Sequence, residues 1–276
     1  MHRRRPPPEP SSPTAGVGAT VRGVKTLLLA DVHSNFVALE AVLEATAGER
    51  FDAVLFAGDL VDYGTDPRPC VEWARAAVTA GVRGNHDHAV AQRIAARGGS
   101  GFKALAAATR PLHWDVLSPR TLKFLGRLPV TRYFRNEEAT FFLVHGTPRD
   151  PMDEYLGEDA AAWQDRLTDV QADFVVCGHT HRAMVLEVGD TRVINPGSVG
   201  QPRDGKRGAA FAVVEDDRVH LRRVGYDIGT AIDQVLRAAA PTWVAELTEA
   251  LLRTGGELSR DEIDAFVPAD ADPGSA

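Results

Sequence analysis

"KTLLLADVHSNFVALEAVL", residues 25–43, decides how the rest of the chain is read. Residues 25–30 form a short apolar run of the kind buried on both faces of a sheet. Asn35 is placed to cap a helix, in which Phe36, Leu39, Val42 and Leu43 recur at helical spacing. Two side chains with metal-binding chemistry, Asp31 and His33, stand where the strand gives way to that helix. The unit then repeats. "DAVLFA" (52–57) predicts a second buried strand, Asp66 followed by Pro67 a second helix start, and "GVRG" (81–84) a third short strand. Strand–helix–strand–helix–strand implies a parallel sheet covered by helices.

Residues 89–128 break this rhythm. They are rich in alanine and other helix formers, with a further helix start at Ser118-Pro119, and read as a helical insertion. It leaves the sheet directly after "GNHD" (84–87), so it is expected to cap whatever crevice that loop borders. His113 and Trp114 lie within it, and the indole is read either as core packing or as a surface for stacking against a base. Strands resume at "VTRYF" (130–134) and "TFFLVHG" (140–146). A helix over 159–169 and a buried strand in "ADFVVCGH" (172–179) follow. From Ala183 the signals are mainly β, with a hairpin turn at Gly189-Asp190, and after Tyr226 they are helical to about 267. There is no repeat at a fixed period.

Composition narrows the function. Of 276 residues, 44% are hydrophobic and 25% charged, as in a soluble globular protein. A net charge of −7 argues against a broad footprint for nucleic-acid backbones. No run reaches the length of a membrane span. Cys70 and Cys177 both sit in apolar segments and read as reduced core thiols, which fits a cytoplasmic setting; Cys177 has no cysteine partner at zinc-site spacing. The opening segment, 1–22, carries "RRR" and many prolines without an apolar stretch behind them, and reads as a flexible tail. Residues 268–276 read the same way.

Five polar clusters follow apolar strands: "DVH" (31–33), "GDLVDYG" (58–64), "GNHD" (84–87), "HGTP" (145–148) and "GHTH" (178–181). Loops at the carboxyl ends of such strands share one crevice. They would gather Asp31, His33, Asp59, Asn85, His86, His145, His179 and His181. This mixture of oxygen and imidazole donors suits divalent transition metals better than calcium. Each cluster alone is more often structural; the ordered set is not.

That order resembles the calcineurin-like metallophosphoesterase superfamily, whose pattern runs D-x-H, G-D, G-N-H-[DE], H, G-H-x-H. "DVHSNFVALEAVL", "GDLVDYGTDP", "VRGNHD", "HGTPRDPMDEYL" and "INPGSVGQPRDG" are similar to a bacterial and archaeal phosphodiesterase-type subgroup, over roughly residues 25–228. The resemblance implies an α/β sandwich of two packed mixed β-sheets flanked by helices. It implies a metallophosphoesterase domain over 23–228, with the cap insertion at 89–128 and C-terminal helices over 229–267. Carried onto matching positions, it gives Asp31, His33 and His181 to one metal, Asn85, His145 and His179 to a second, and Asp59 to both. Two divalent ions are implied, manganese first, with nickel, cobalt, iron or zinc as alternatives. A hydroxide made between them would hydrolyse a phosphodiester or phosphomonoester. His86 would face the phosphate and protonate the leaving oxygen, oriented by Asp87. Asn35, Arg149 and Arg203 are candidate substrate contacts. The expected partner is a small or medium phosphoester, with no membrane and no extended nucleic-acid surface; oligomeric state is left open. Phosphoprotein phosphatase and symmetrical dinucleoside-tetraphosphate hydrolase share the same metal core. A protein-binding scaffold of the same fold is disfavoured, because His86 and every expected ligand are present.

Overall fold

The strand Lys25–Leu29 (β1) owes its unbroken apolar sequence to burial on two sides. Leu27 and Leu29 face a core shared with helices, whereas Leu28 faces a core shared with a second sheet. The computed structural model describes residues 24–97, 100–269 and 271. The expectations for 1–22 and for most of 268–276 lie outside them.

After β1 come α1 (Phe36–Thr46), β2 (Ala53–Phe56), α2 (Pro67–Ala77) and β3 (Ala80–Gly81). The expected cap is in place, with Asn35 Oδ1 accepting the Ala38 amide N–H. β3 is shorter than the run 81–84 suggested. Val82 N–H still donates to Phe56 O, but Arg83 N–H turns to Pro129 O and the chain enters a helix at once. That helix is α3 (Asn85–Ala91), followed by α4 (Gly101–Val116) and α5 (Pro119–Arg127). Next come β4 (Thr131–Arg135), β5 (Thr140–Val144), α6 (Ala160–Arg166), β6 (Phe174–Val176), β7 (Met184–Val188) and β8 (Thr191–Asn195). The chain ends in β9 (Ala209–Glu215), β10 (Arg218–Val224), α7 (Ile228–Arg237), α8 (Thr242–Thr254) and α9 (Arg260–Asp264).

The strands form two five-stranded mixed sheets, ordered β10-β9-β1-β2-β3 and β4-β5-β6-β8-β7. The parallel set read from the sequence, β1-β2-β3, makes up three of the five strands of the first sheet, and β9 joins it antiparallel to β1. In the second, β5, β6 and β8 run parallel between antiparallel edges. The sheets pack face to face through Leu28, Leu55, Phe141, Phe174, Val176 and Ala212, with the Phe141 and Phe174 rings stacked at 5.0 Å. Helices α1 and α2 cover the outer face of the first sheet, and Trp163 of α6 lies against the second. A separate core joins Leu105 and Ala106 of α4 to Val235, Val244, Leu247, Leu251 and Ile263 of the last three helices. Both cysteines are buried and free, and burial raises both thiols. Among the described residues no helix is long and apolar enough to cross a membrane.

Candidate metal centre

Loops at the ends of β1, β2, β3, β5 and β6 meet at one edge of the sandwich. Asp31, His33 and His181 place one ligand atom each within 4.8 Å of one another, and so do Asp59, His145 and His179. Asp59 stands between the two trios: its Oδ2 is 3.1 Å from His145 Nε2 and 3.7 Å from His33 Nε2. Asn85 Oδ1 lies 3.2 Å from His145 Nε2.

The hydrogen-bond network fixes which ring nitrogens carry protons. His33 Nδ1 donates to Val61 O, His145 Nδ1 to Ala57 O and His181 Nδ1 to Gln201 O. In the neutral rings of His33 and His181 the Nε2 atoms are therefore left as lone pairs. His33 Nε2 and His181 Nε2 then face each other at 3.1 Å with no proton to share. His145 Nε2 sits 3.1 Å from His179 Nδ1. Asp31 Oδ2, Asp59 Oδ2 and His179 Nε2 are buried without any hydrogen-bond partner. Acceptors aimed at acceptors, out of water, are costly unless a cation lies among them. The donor set therefore fits divalent metal.

Electrostatics agrees. Burial lowers His33 and His179 to about 3 and His181 well below its usual value, so these imidazoles are neutral at physiological pH, the form that can bind a metal. Burial lifts Asp31 to about 7. Burial also opposes charge on His145, but the Asp59 and Asp31 carboxylates outweigh it and push that imidazole up to about 9. In the same pair, His145 and its neighbours hold Asp59 well below the carboxylate range against its burial. His145 thus takes a cation's place beside Asp59.

The loops reach this geometry through unusual backbone. Asp31, His33, Asp59, His179 and His181 all lie in the left-handed region, with φ between 46° and 66°. Such strain in non-glycine residues persists where the surroundings impose it. Here Asp31 N–H donates to Gly58 O, His33 N–H to Asp59 O, and Gly178 N–H to His145 O, tying each loop to the next. Gly84 is required because a Cβ there would overlap Asp59 Oδ1.

The family model for the calcineurin-like phosphoesterase superfamily domain matches residues 24–218. The chain belongs to this superfamily. A phosphoesterase of this family is a hydrolase. An uncharacterized protein of Methanocaldococcus jannaschii is 30% identical over 247 residues, spanning 81% of this chain and 97% of its own. Phosphodiesterase YfcE of Escherichia coli strain K12 is 26% identical over 194 residues, or 70% of this chain and 89% of YfcE. The crystal structure of a metallophosphoesterase from Sphaerobacter thermophilus superposes with a TM-score of 0.69 at 31% identity, covering 84% of this chain and 99% of that one.

Within this phosphoesterase, His86 lies beside the first trio, its ring 5.1 Å from that of His33. Its orienting partner is Asp62, not Asp87. His86 Nδ1 donates to Asp62 Oδ2 at 2.8 Å. Asp87 follows His86 on the first turn of α3, and adjacent helix positions do not face each other. Its carboxylate accepts the amide N–H groups of Gly84, Asp59 and Leu60, closing the helix start and locking the Asp59 loop.

The substrate candidates part company. Asn35 is not free for substrate: Oδ1 caps α1, and Nδ2 donates to Gly200 O and to Tyr226 Oη. Arg149 is paired with Glu154, which also binds Arg166 and Thr147, so its charge is held on the loop after β5. Arg203 does reach the centre. Its guanidinium lies 3.9 Å from the Phe102 ring, its Nη2 donates to Gln201 Oε1, its Nε is buried without a partner, and its charge lowers His181 after burial does. Trp114 packs into the helix-covered core and donates to Val90 O, which settles its reading as packing. His113 is fully buried: Nδ1 donates to Thr109 O, while Nε2 lies 2.8 Å from Ser34 Oγ and accepts the Asp62 amide N–H.

Sequence reasoning missed Tyr155, whose ring lies 3.8 Å from that of His179 while its side stays largely exposed. It also missed Thr109 and Arg110, both on Asp62. No motif marks Thr109 or Arg110, whereas Tyr155 lies inside the family-like stretch 145–156.

Proposed function

We propose that this phosphoesterase hydrolyses a small or medium phosphoester, a diester in the first instance, using two divalent cations. The observation that carries the reading is Asp59 Oδ2, a buried oxygen of the second trio that lies 3.1 Å from His145 Nε2 and 3.7 Å from His33 Nε2 of the first. Asp31, His33 and His181 would hold one cation, Asn85, His145 and His179 the other, and Asp59 both. Bound there, such cations supply Lewis acidity: they make water a nucleophile near neutral pH and neutralise phosphate oxygens. Imidazole with carboxylate and amide oxygen favours manganese, with nickel, cobalt, iron or zinc as substitutes.

The chain's own residues supply the rest. Asp62 keeps the His86 Nδ1 proton in place, so Nε2 is the atom turned to substrate. In its doubly protonated form His86 gives the Nε2 proton to the departing oxygen, becoming the neutral Nδ1–H ring, and its charge steadies the phosphate before transfer. Arg203, its guanidinium 3.9 Å from the Phe102 ring, would turn its unpartnered Nε–H to a phosphate oxygen. Residues 89–128 act as a cap: α4 brings Phe102 against Arg203 and Arg110 against Asp62. Similarity to phosphodiesterase YfcE supports the diester preference, and two buried free thiols support a cytoplasmic setting. The test is a screen of metal-reconstituted protein against bis-p-nitrophenyl phosphate, p-nitrophenyl phosphate, cyclic nucleotides, dinucleoside polyphosphates and a phosphopeptide. Turnover of the diester above the others is expected. Preference for the phosphopeptide or for a dinucleoside polyphosphate would replace the diester reading, and no hydrolysis with any divalent metal would remove the catalytic one.

A further inference from the structure

We infer that Arg110, on α4 and outside every motif, is a positioning residue that fixes Asp62 so that His86 holds its proton on Nδ1 and presents Nε2 to the substrate. The inference rests on the role given to His86 above, and its test separates the two.

Asp62 is completely buried and sits at φ 75°, so it has no water and little freedom. Its Oδ2 receives three donors: His86 Nδ1 at 2.8 Å, Arg110 Nε at 2.8 Å and Arg110 Nη2 at 2.6 Å. Its Oδ1 receives the Tyr63 amide at 3.2 Å and the Thr109 hydroxyl at 3.3 Å. The guanidinium is itself pinned at the far end, where Nη1 donates to Ile94 O at 2.9 Å. A planar fork clamped at both ends sets the plane of the carboxylate in a way that a flexible ammonium does not. The same helix holds the Asp62 amide through His113. So α4 grips one residue by its backbone and by both carboxylate oxygens, and Asp62 passes that fixity to His86.

Charge points the same way. A buried carboxylate with only an imidazole beside it would have no permanently charged partner. Arg110 supplies one, at a residue itself only 7% exposed. It keeps Asp62 an acceptor whichever state His86 passes through while a proton leaves and returns. Remove Arg110, and the carboxylate can turn and the imidazole can present either nitrogen. A group that donates from the wrong nitrogen is lost to the reaction even though the ring is still there.

The experiment uses the full chain as R110A and R110K. In the metal-free protein, long-range proton–nitrogen NMR of the histidine rings, with His86 assigned through H86N, reads the tautomer directly. Wild type is expected to carry the proton on Nδ1, R110A to exchange between Nδ1 and Nε2, and R110K to lie between. In the metal-loaded protein, kcat on a diester with a poor alkoxide leaving group should fall about 10–100-fold in R110A. With p-nitrophenolate the fall should stay within roughly 3-fold, and KM should move no more than that. Metal content should match wild type, and added guanidinium should restore part of the lost rate. If R110A does not fold, R110K carries the same comparisons. An unchanged Nδ1 proton in the variant overturns the inference even if no phosphoester is ever hydrolysed. So does an equal loss across leaving groups, which would mark Arg110 as structural, or wild-type kinetics. Failure of the phosphoesterase reading would appear instead as an inactive wild type with the NMR difference intact.

Discussion

The strand-end loops and helix α4 serve the same centre in opposite ways. The loops carry the candidate metal ligands: each is a few residues long, follows a buried strand and turns through left-handed backbone, as at Asp31, Asp59 and His179. Helix α4 carries none of them. From Thr109, Arg110 and His113 it reaches Asp62 and Ser34, which sit beside the residues that do the chemistry. The loops thus present the candidate ligands, and the helix fixes the partner of His86. Substitutions in the two regions should therefore fail differently, the first through metal content and the second through turnover at full metal content.

The largest effect is expected at Asp59, whose Oδ2 lies close to histidines of both trios. Asp59→Ala should abolish hydrolysis of every substrate, as read by a sensitive fluorogenic diester; residual turnover near wild type would mean that the shared carboxylate is dispensable. His86→Ala should keep its metal and lose about 10²–10⁴-fold in kcat, with KM less affected. Metal loss in that variant, measured by elemental analysis, would move His86 into the ligand set and erase the distinction between the regions. Asp62→Asn should cost about 10–100-fold in kcat at unchanged metal content. Arg203→Met should act mainly on KM, raising it about 10-fold through one lost charge-assisted contact to phosphate. The smallest effect on catalysis belongs to Trp114→Ala: kinetics close to wild type, with a lowered melting temperature because a half-buried indole leaves the helix-covered core. A changed substrate preference there would reopen the stacking reading.

The same contrast explains what was legible in the sequence. The positions of Asp31, His33, Asp59, Asn85, His145, His179 and His181 could be read because each follows an apolar strand and most sit beside a glycine that the turn requires. Three short strands alternating with two helix starts were enough to suggest the sheet, but that parallel pattern showed only the β1-β2-β3 part of it. The antiparallel closure by β9 depends on pairing across 180 residues or more, such as Leu27 with Val213, which no local signal encodes. The partner of His86 was misread for a related reason. Asp87 is its neighbour in sequence but Asp62 is its neighbour in space, since the helix start turns Asp87 back onto amides. Arg110 was invisible because nothing distinguishes a functional arginine from a solvated one along a helix until the fold shows what it faces.

The most direct test of the central claim is the number of divalent ions that the chelated full-length protein takes up, followed by calorimetric titration with manganese and by elemental analysis after dialysis. Two ions per chain are expected in the wild type and fewer in Asp59→Ala, with hydrolysis appearing only as the sites fill. Full hydrolysis in excess chelator with no divalent ion bound, or two ions still bound in Asp59→Ala, would overturn the two-cation centre.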